Sequence, residues 1–266
     1  MESAFWQPRG HELTKTAIIS GTASGIGACV KTRLENLGYR VIGIDLKDAD
    51  IAADLSTNDG RTTATAQALE LSGGSIDILV LAAGLGGHLE DGQLVARVNY
   101  YGAVTLLDGF RDALAKAKGR TVVISSNSAQ MHMDPDNDLA KALLDGTEEE
   151  AMSVIGSNHG ALTYAISKHA LARAVRRRAA EWGQLGIRLN AIAPGMTETP
   201  MFRGAADHPE IGKSVEAIPI PQNRYASPDE IAGVIEFMLS DAAAYMQGSI
   251  VYVDGGTDAQ LRPDAF

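Results

Sequence analysis

The sequence predicts an α/β fold, namely a single Rossmann-type, doubly wound domain of about seven parallel strands with helices on both faces. First, short β-branched apolar runs alternate with segments of helical period along the whole chain. Second, these runs are continuously apolar, as the strands of a sheet covered on both faces must be. Third, no long linker or internal repeat divides residues 16–266, so one domain is expected there.

Each predicted strand is β-branched and bounded by turn residues. The main strands are Thr16–Ser20, Arg40–Asp45, Ile76–Leu81, Thr121–Ser125, Ile187–Ile192 and Ser249–Val253, with Ile51–Ala53 as a short seventh. Helices are predicted between them at Ile26–Leu37, Thr57–Leu71, Val98–Ala117, Thr163–Trp182 and Ser227–Leu239. The last helix has a clear start signal, with Ser227 as N-cap, Pro228 at the first position and Glu230 three residues after the cap.

Residues 127–158 do not fit this alternation. The segment is rich in Asp and Glu and contains Leu139, Ala142 and Leu143 at helical spacing. It separates a strand from a helix, which usually need only a short connection. We therefore expect a partly helical insertion at the edge of the sheet.

Composition excludes several functional classes. The 266 residues include 23 Lys and Arg against 33 Asp and Glu, a formal net charge of −10, which opposes nucleic-acid binding. The single cysteine, Cys29, permits no intrachain disulfide and favours the cytoplasm. No stretch approaches the roughly 20 apolar residues of a membrane helix. The six histidines lack metal-ligand spacing, so no metal is expected, and residues 1–15 are expected to be a flexible leader.

A glycine-rich turn, residues 20–27, follows the first strand and opens the first helix. Its spacing is Gly-x-x-x-Gly-x-Gly, formed by Gly21, Gly25 and Gly27. Glycine lets the backbone approach a pyrophosphate closely, and the N–H groups of the helix start can bind it. A glycine triplet alone is weak, but its position between strand and helix indicates a dinucleotide site.

Asp45 ends the second strand, about twenty residues after the glycine turn. An acidic side chain there accepts hydrogen bonds from an adenosine ribose and repels a 2′-phosphate. Neither Ala23 nor Ser24 supplies a basic side chain beside the turn. These features favour NAD over NADP; the alternative is that Asp45 is an ordinary turn residue at the strand end.

Tyr164 and Lys168 stand four apart in a predicted helix, so their side chains share one face. A nearby ammonium favours the phenolate and lowers the pKa of a tyrosine from about 10, which makes a usable acid/base group. The pair alone occurs by chance in many helices. Ser126 directly follows a strand and Asn99 begins a long helix, so both are expected at the same end of the sheet.

Together these motifs resemble the short-chain dehydrogenase/reductase family, over Thr16 to Phe266. Residues 20–27 match the family's Thr-Gly-x-x-x-Gly-x-Gly motif, with serine in place of threonine. The resemblance implies an NAD-dependent alcohol dehydrogenase or ketone reductase. The catalytic residues that it implies are Asn99, Ser126, Tyr164 and Lys168.

The resemblance also implies cofactor contacts. Asp54 and Leu55 match an Asp-Leu pair beside the adenine. Pro194 and Gly195 match a Pro-Gly motif after the sixth strand, with Ile192 and Thr197 or Thr199 expected at the nicotinamide carboxamide. The expected cofactor-binding residues are Gly21, Ser24, Gly25, Ile26, Gly27, Asp45, Leu46, Asp54, Leu55, Ala83, Gly84, Tyr164, Lys168, Ile192, Pro194, Gly195, Thr197 and Thr199.

Two features depart from the family pattern. The stretch Leu81-Ala82-Ala83-Gly84 lacks the two asparagines that the family usually has after the fourth main strand. The interval from Ser126 to Tyr164 is also much longer than usual. The family's usual four-helix contact between subunits lies beside this insertion, which either blocks it or extends it. A homodimer is expected, with residues 255–266 as a second candidate contact.

The insertion, the Pro-Gly stretch and the chain end are similar to one branch, the bacterial 3α-hydroxysteroid dehydrogenase/carbonyl reductases. That branch implies a steroid substrate, held by Ser126 and Tyr164 and contacted by Met131 and by a segment at about residues 200–221. The apolar residues of that segment are Met201, Phe202, Ile211, Val215, Ile218 and Ile220. Exchangeable apolar cover suits a flat ligand that offers few hydrogen-bonding groups.

Other readings stay open at this stage. The same machinery serves bile-acid, terpenoid, dihydrodiol and sugar alcohol dehydrogenases, and a dinucleotide-sensing module could keep the fold without the chemistry. In the oxidative direction Tyr164 is expected to take the alcohol proton while Ser126 holds the substrate oxygen. Lys168 is expected to support the phenolate and anchor the nicotinamide ribose. Asn99 is expected to fix a water that links Lys168 to solvent.

Overall fold

Seven parallel strands form one sheet in the computed structural model, which describes residues 15–130, 137–157 and 160–265. The strands are β1 (Thr16–Ser20), β2 (Arg40–Asp45), β3 (Ile51–Ala52), β4 (Ile78–Leu81), β5 (Arg120–Ile124), β6 (Arg188–Pro194) and β7 (Ile250–Val253). Their spatial order is β3-β2-β1-β4-β5-β6-β7, and every neighbouring pair is parallel. The predicted seven-stranded doubly wound sheet is confirmed. The predicted leader lies outside the described residues, apart from Lys15.

Helices occupy the connections between the strands. They are α1 (Gly25–Asn36), α2 (Asn58–Leu71), α3 (Gly92–Ala96), α4 (Ala103–Ala117), α5 (Asp138–Asp145), α6 (Glu148–Ile155), α7 (Gly160–Gln184), α8 (Pro200–Ala206), α9 (Ile211–Glu216), α10 (Pro228–Leu239) and α11 (Thr257–Leu261). The predicted capping box of α10 is present, because Glu230 N donates to Ser227 Oγ and Ser227 N donates to Glu230 Oε2. No helix in the described ranges is long and apolar enough to cross a membrane.

Two apolar clusters cover the two faces of the sheet. On one face, Val30 and Leu34 of α1 pack with Ile231 and Ile235 of α10. On the other face, α2, α4 and α7 form a larger cluster that includes Phe110 and the fully buried Trp182. Because both faces are buried, the strands are apolar at successive positions instead of alternating.

One predicted helix is divided in two. The segment predicted as a single helix over residues 98–117 consists of a π-helical turn, Arg97–Gly102, followed by α4. A π-helical turn holds an extra residue, so it changes the direction of the side chains within it and is common at functional sites. Asn99 lies in this turn. The spacing of apolar residues in the sequence did not indicate this π-helical turn.

The insertion is helical where the structure describes it. Leu139 and Leu143 of α5 are buried in the larger cluster, as their spacing predicted. Met152 of α6 is buried in the same cluster. The two helices lie against α3 and α7, so they cover part of the face that carries the site helix.

A buried ion pair anchors the insertion to the sheet's outer helices. Arg61 Nη2 on α2 donates to Glu148 Oε2 on α6 at 2.6 Å, and only 3% of the Arg61 side chain is exposed. Arg61 Nε and Nη1 have no hydrogen-bond partner among the described residues, and the guanidinium lies over the Tyr101 ring at 5.9 Å from its centroid. Glu148 also pairs with Arg97 at 3.6 Å. The carboxylate of Glu148 therefore compensates a charge that water cannot reach.

Replacing Glu148 tests this anchor. Glu148→Gln leaves the Arg61 guanidinium buried without a counter-charge, so the free energy of unfolding should fall by about 2 kcal/mol. The measurement is urea unfolding at neutral pH, with the exposed neighbour Glu149→Gln as the matched control. Equal midpoints for the two variants would show that the pair is not an anchor.

Candidate active site

A cavity of about 720 Å³ lies at the carboxyl end of the sheet. The strand order reverses there between β1 and β4, which is where open α/β sheets bind ligands. Its walls are the glycine turn, the loop after β4, the start of α7 and the segment after β6. The predicted residues that line it are Gly21, Ser24, Gly25, Ile26, Gly27, Asp45, Leu46, Asp54, Leu55, Ala83, Gly84, Ser126, Tyr164, Lys168, Pro194, Gly195, Thr197, Thr199, Met201 and Phe202.

Close backbone contacts account for the glycine turn. Gly21 has φ +81°, and a Cβ there would lie 2.6 Å from Ala83 N in the loop after β4. A Cβ on Gly27 would meet the carbonyl oxygen of Gly21. Side chains at these positions would push α1 away from β1. The bare backbone instead leaves the N-terminus of α1 open to the cavity, and helix N-termini bind phosphate.

The carboxylate of Asp45 is fixed at the end of β2. Its Oδ2 accepts from Ala23 N in the glycine turn at 2.9 Å, and its Oδ1 accepts from Leu46 N at 2.7 Å. These two hydrogen bonds hold the carboxylate beside the turn. Lys168 is the only Lys or Arg among the residues described along the cavity wall.

Asn99 holds the loop after β4. Its Oδ1 accepts from Leu85 N at 2.7 Å and its Nδ2 donates to Leu85 O at 3.0 Å. The side chain is 1% exposed and does not line the cavity. Gly84 lies between Asn99 and Lys168, because a Cβ there would be 3.2 Å from Asn99 Oδ1 and 3.5 Å from Lys168 Nζ.

Three hydrogen bonds join α7 to the end of β5. Ser125 Oγ donates to Lys168 O at 2.9 Å, and Lys168 Nζ donates to Ile124 O at 2.8 Å. His169 Nδ1 donates to Ala129 O at 2.7 Å, which fixes the 3₁₀ turn after the strand. We call these three bonds the α7 clamp. The clamp sets the distance between the serine after β5 and the tyrosine on α7.

Ser126 and Tyr164 are hydrogen-bonded through their side chains. Ser126 Oγ also accepts from Ser128 N at 3.2 Å and from Ser128 Oγ at 2.9 Å. A hydroxyl oxygen has two lone pairs and one hydrogen. Because Ser128 occupies the lone pairs, the hydrogen of Ser126 is directed toward Tyr164.

The segment after β6 covers the cavity. Thr199 Oγ1 caps α8 by accepting from Phe202 N at 3.1 Å, and its Cγ2 lies 3.2 Å from the position of a Cβ on Gly25. The start of α8 is therefore beside the glycine turn. Phe202 packs on Tyr225 with ring centroids 4.7 Å apart. In the rest of the segment, Met201, Ile211, Val215 and Ile218 line the cavity.

Two residues predicted to contact ligands do not line the cavity, and one lies outside the described residues. Ile192 is 0% exposed and packs in the α1 and α10 cluster, and it is not among the residues that line the cavity. Ile220 lines a separate cavity of about 590 Å³ with Tyr252 and Gly255. Met131 lies outside the described residues.

Several site residues are missing from the sequence-based set. Met196, which directly follows the Pro-Gly pair, lines the cavity where Ile192 was expected. Ser128 acts on the site through a local hydrogen bond to Ser126, and His169 acts on it through a hydrogen bond from α7 to Ala129. Only Met196 had a sequence signal, its place next to the motif. No group of three or more His, Cys, Asp or Glu residues within the described ranges is placed to hold a metal.

Comparison with known proteins decides the family. A profile described as short chain dehydrogenase matches residues 15–135, and one described as enoyl-(acyl carrier protein) reductase matches residues 149–258. The chain is 45% identical, over 94% of its length and 98% of the relative's, to the 3-alpha-hydroxysteroid dehydrogenase/carbonyl reductase of Comamonas testosteroni. The chain belongs to the short-chain dehydrogenase family. It is thus an oxidoreductase that acts on secondary alcohols and ketones.

Two further relatives place this dehydrogenase within the family. The crystal structure of the 3-alpha-hydroxysteroid dehydrogenase from Pseudomonas sp. B-0831 complexed with NADH matches with a TM-score of 0.92 and 39% identity, over 95% of this chain and 100% of that one. The D-threitol dehydrogenase of Mycolicibacterium smegmatis is 28% identical over 91% of this chain and 92% of its own. These matches indicate that the protein uses a nicotinamide cofactor.

Burial shifts the pKa values of both titrating groups in the dehydrogenase. It lowers the pKa of Lys168 to about 8, since the ammonium has lost its water. It raises the pKa of Tyr164, and the hydrogen bond from Ser126 lowers it by less. The sequence predicted a lowered tyrosine pKa, which is wrong for the protein alone. The reason is that desolvation outweighs the neighbouring polar groups.

Ser128 offers a test of how the serine is oriented. Ser128→Ala removes one of the two donors to Ser126 Oγ and leaves only the Ser128 N–H, so the direction of the serine hydrogen is less well fixed. We expect kcat to fall by about tenfold, the effect of roughly 1.4 kcal/mol. The affinity for NADH should stay unchanged, and Ser128→Thr should restore most of the turnover. A loss in kcat that threonine does not rescue would contradict this role.

Lys168 offers a test of the burial cost. Below pH 8 the folded protein holds a buried ammonium, whereas above the ordinary lysine pKa of about 10.4 both states are neutral. The unfolded state binds more protons between these values, so wild-type stability should rise with pH there relative to Lys168→Met. The measurement is denaturant unfolding of both proteins across this range. A stability difference that does not change with pH would show that the ammonium is not desolvated.

Proposed function

We propose that this dehydrogenase interconverts 3α-hydroxysteroids and 3-oxosteroids with NAD(H), and that it reduces other ketones by the same chemistry. The observation that carries the proposal is the juxtaposition of Ser126, Tyr164 and Lys168 beside a glycine cradle in one cavity. The similarity to the Comamonas testosteroni relative, which is named for both activities, supports the substrate class.

The cavity fits a nicotinamide dinucleotide. Gly21 and Gly27 keep the turn free of side chains at the start of α1, where the pyrophosphate would bind. Asp45 would accept hydrogen bonds from the hydroxyls of the adenosine ribose, and Asp54 and Leu55 would border the adenine. The cofactor, when bound, accepts or supplies the hydride. Met196 and Thr197 would border the nicotinamide end.

Proton transfer is the part played by the chain's own residues. In oxidation, Tyr164 as phenolate takes the proton of the alcohol, while Ser126 donates a hydrogen bond to the same substrate oxygen. In reduction, Tyr164 returns that proton to the carbonyl oxygen. Holding the oxygen between two fixed groups aligns the carbinol carbon for hydride transfer.

Lys168 and Asn99 complete this arrangement. The Lys168 ammonium stabilises the phenolate and anchors the nicotinamide ribose. The two amide atoms of Asn99 are bonded to Leu85, so Asn99 acts by holding the loop that ends at Gly84. A water in the gap beside Gly84 would link Lys168 to solvent.

The apolar lining of the cavity favours a large apolar substrate. Helices α8 and α9 supply much of this lining. The apolar lining residues around the substrate end are Leu94, Val98, Met201, Phe202, Ile211, Val215 and Ile218. A steroid offers a flat hydrocarbon face to such a wall, whereas a sugar alcohol would leave its hydroxyls unpaired there.

The first experiment is a substrate panel. NADH formation is followed with a 3α-hydroxysteroid, its 3β epimer and several non-steroid secondary alcohols. We expect turnover of the 3α epimer alone among the steroids, with loss of nearly all turnover in Tyr164→Phe while NADH still binds. Activity only on terpenoid, dihydrodiol or sugar alcohols would remove the steroid and keep the mechanism. NADH binding without any turnover would indicate a sensing module instead.

Asp45 sets the proposed preference for NAD. Asp45→Asn removes the negative charge that would repel a 2′-phosphate, so the ratio of kcat/KM with NADP to that with NAD should rise by about tenfold or more, the effect of some 1.4 kcal/mol. The control is Asp48→Asn, an exposed carboxylate just past the same strand. If both variants keep the wild-type ratio, Asp45 does not select the cofactor.

We also propose a homodimer in the cytoplasm. Because α5 lies on α7 and α6 lies on α3, a contact through the family's usual helical face would have to include the insertion. The end of α11 is a second candidate, with Leu261 exposed at 39%. Sedimentation velocity tests this point, and a monomer at micromolar concentration would contradict it.

A further inference from the structure

His88 is a polar side chain in the cavity that the proposed chemistry does not use. It lies in the loop after β4, is partly exposed and lines the cavity. This loop runs directly over the tyrosine, because a Cβ on Gly87 would be 3.2 Å from Tyr164 Cβ. His88 therefore lies one residue from the contact with the proposed acid/base group.

The imidazole ring is held between two glycines. A Cβ on Gly86 would be 2.6 Å from His88 Nδ1, and a Cβ on Gly204 of α8 would be 2.8 Å from His88 Nε2. The ring thus spans the gap between the loop after β4 and the helix that covers the cavity. Any larger residue at either glycine would displace it.

The surroundings fix the tautomer. His88 Nδ1 is buried and has no hydrogen-bond partner. A proton on Nδ1 would bury an N–H group with no acceptor. The tautomer that avoids this carries its proton on Nε2. The nitrogen that faces the covering helix is a hydrogen-bond donor.

The covering segment beside this donor is mostly apolar, and its Met201, Phe202 and Ile211 line the same cavity. The polar side chains of that segment described on the wall are Thr197, Thr199 and Ser214. Thr197 Oγ1 donates to Gly195 O and Thr199 Oγ1 accepts from Phe202 N, so both hydroxyls already have partners within the segment. An oxygen of the substrate on this side would find the His88 donor close to the covering helix. A purely hydrocarbon ligand would leave it unpaired.

We infer that His88 is a specificity-determining residue, which donates Nε2–H to a second oxygen of the substrate, away from the reacting carbon and beneath α8. The preferred ligand is then a cyclic ketone or alcohol that carries another oxygen acceptor, such as a second ketone. This inference rests on the proposed function for the reacting end of the ligand. It adds a polar subsite at the covered end.

The test is a binding measurement, so that it does not depend on turnover. The Tyr164→Phe protein saturated with NADH is titrated calorimetrically with matched ketone pairs, on monocyclic and steroid skeletons. In each pair one member has a single ketone and the other has a second ketone, placed at several ring positions. Failure of the steroid proposal would appear as weak binding of both steroid members. The role of His88 is tested separately, by the ratio of the two dissociation constants within each pair.

We expect at least one diketone to bind about tenfold more tightly than its monoketone, as one hydrogen bond to a buried donor allows. His88→Leu should abolish that ratio by weakening the diketone alone. His88→Gln, which keeps an N–H donor, should retain much of it. NADH affinity should be unchanged in both. Equal affinities within every pair in the Tyr164→Phe protein that keeps His88, or an equal loss for both members on adding His88→Leu, would overturn the inference.

Discussion

The α7 clamp is the constraint on which the site depends. Ser125 donates to the carbonyl of Lys168, Lys168 donates to the carbonyl of Ile124, and His169 donates to the carbonyl of Ala129. All three bonds join α7 to the end of β5 or to the residues that follow it. They therefore fix the position of the long helix along the central strand. The serine after the strand then meets the tyrosine on the helix without support from flexible loops. Burial lowers the pKa of His169, which keeps the ring neutral and suited to this single bond.

The clamp has an electrostatic cost. It holds a lysine ammonium and a tyrosine phenol in a site with little water. Burial lowers the pKa of Lys168 and raises the pKa of Tyr164, so it favours the neutral form of each. The protein alone therefore disfavours the ion pair that the chemistry needs. The continuously buried strands on either side offset this cost through apolar burial. A positively charged nicotinamide ring would favour the phenolate when it binds, so the site is completed by its cofactor.

Much of this architecture could be predicted from the sequence, for physical reasons that differ between elements. The strands were predictable because burial on both faces requires unbroken apolar runs, and the glycine turn because only glycine fits the contacts at Gly21 and Gly27. The π-helical turn at Asn99 was not predictable, since the shift caused by one extra residue cannot be told from ordinary variation in so short an apolar pattern. Ile192 was assigned to the cavity, but its side chain is fully buried in the α1 and α10 cluster and does not line the cavity. The contact of His169 with Ala129 joins elements distant in sequence, so no local pattern could indicate it. Ser128 lies two residues from Ser126, but the sequence alone does not show that its hydroxyl turns back to Ser126.

The most direct test of the central claim is an ultraviolet difference titration of Tyr164. Wild-type protein and Tyr164→Phe are titrated with alkali, each alone and each saturated with NAD, and the difference between the two proteins isolates this phenol. The account predicts a pKa above the ordinary value of about 10 in the protein alone and a clearly lower pKa with NAD bound. An ordinary pKa in the protein alone, or one that NAD leaves unchanged, would contradict it.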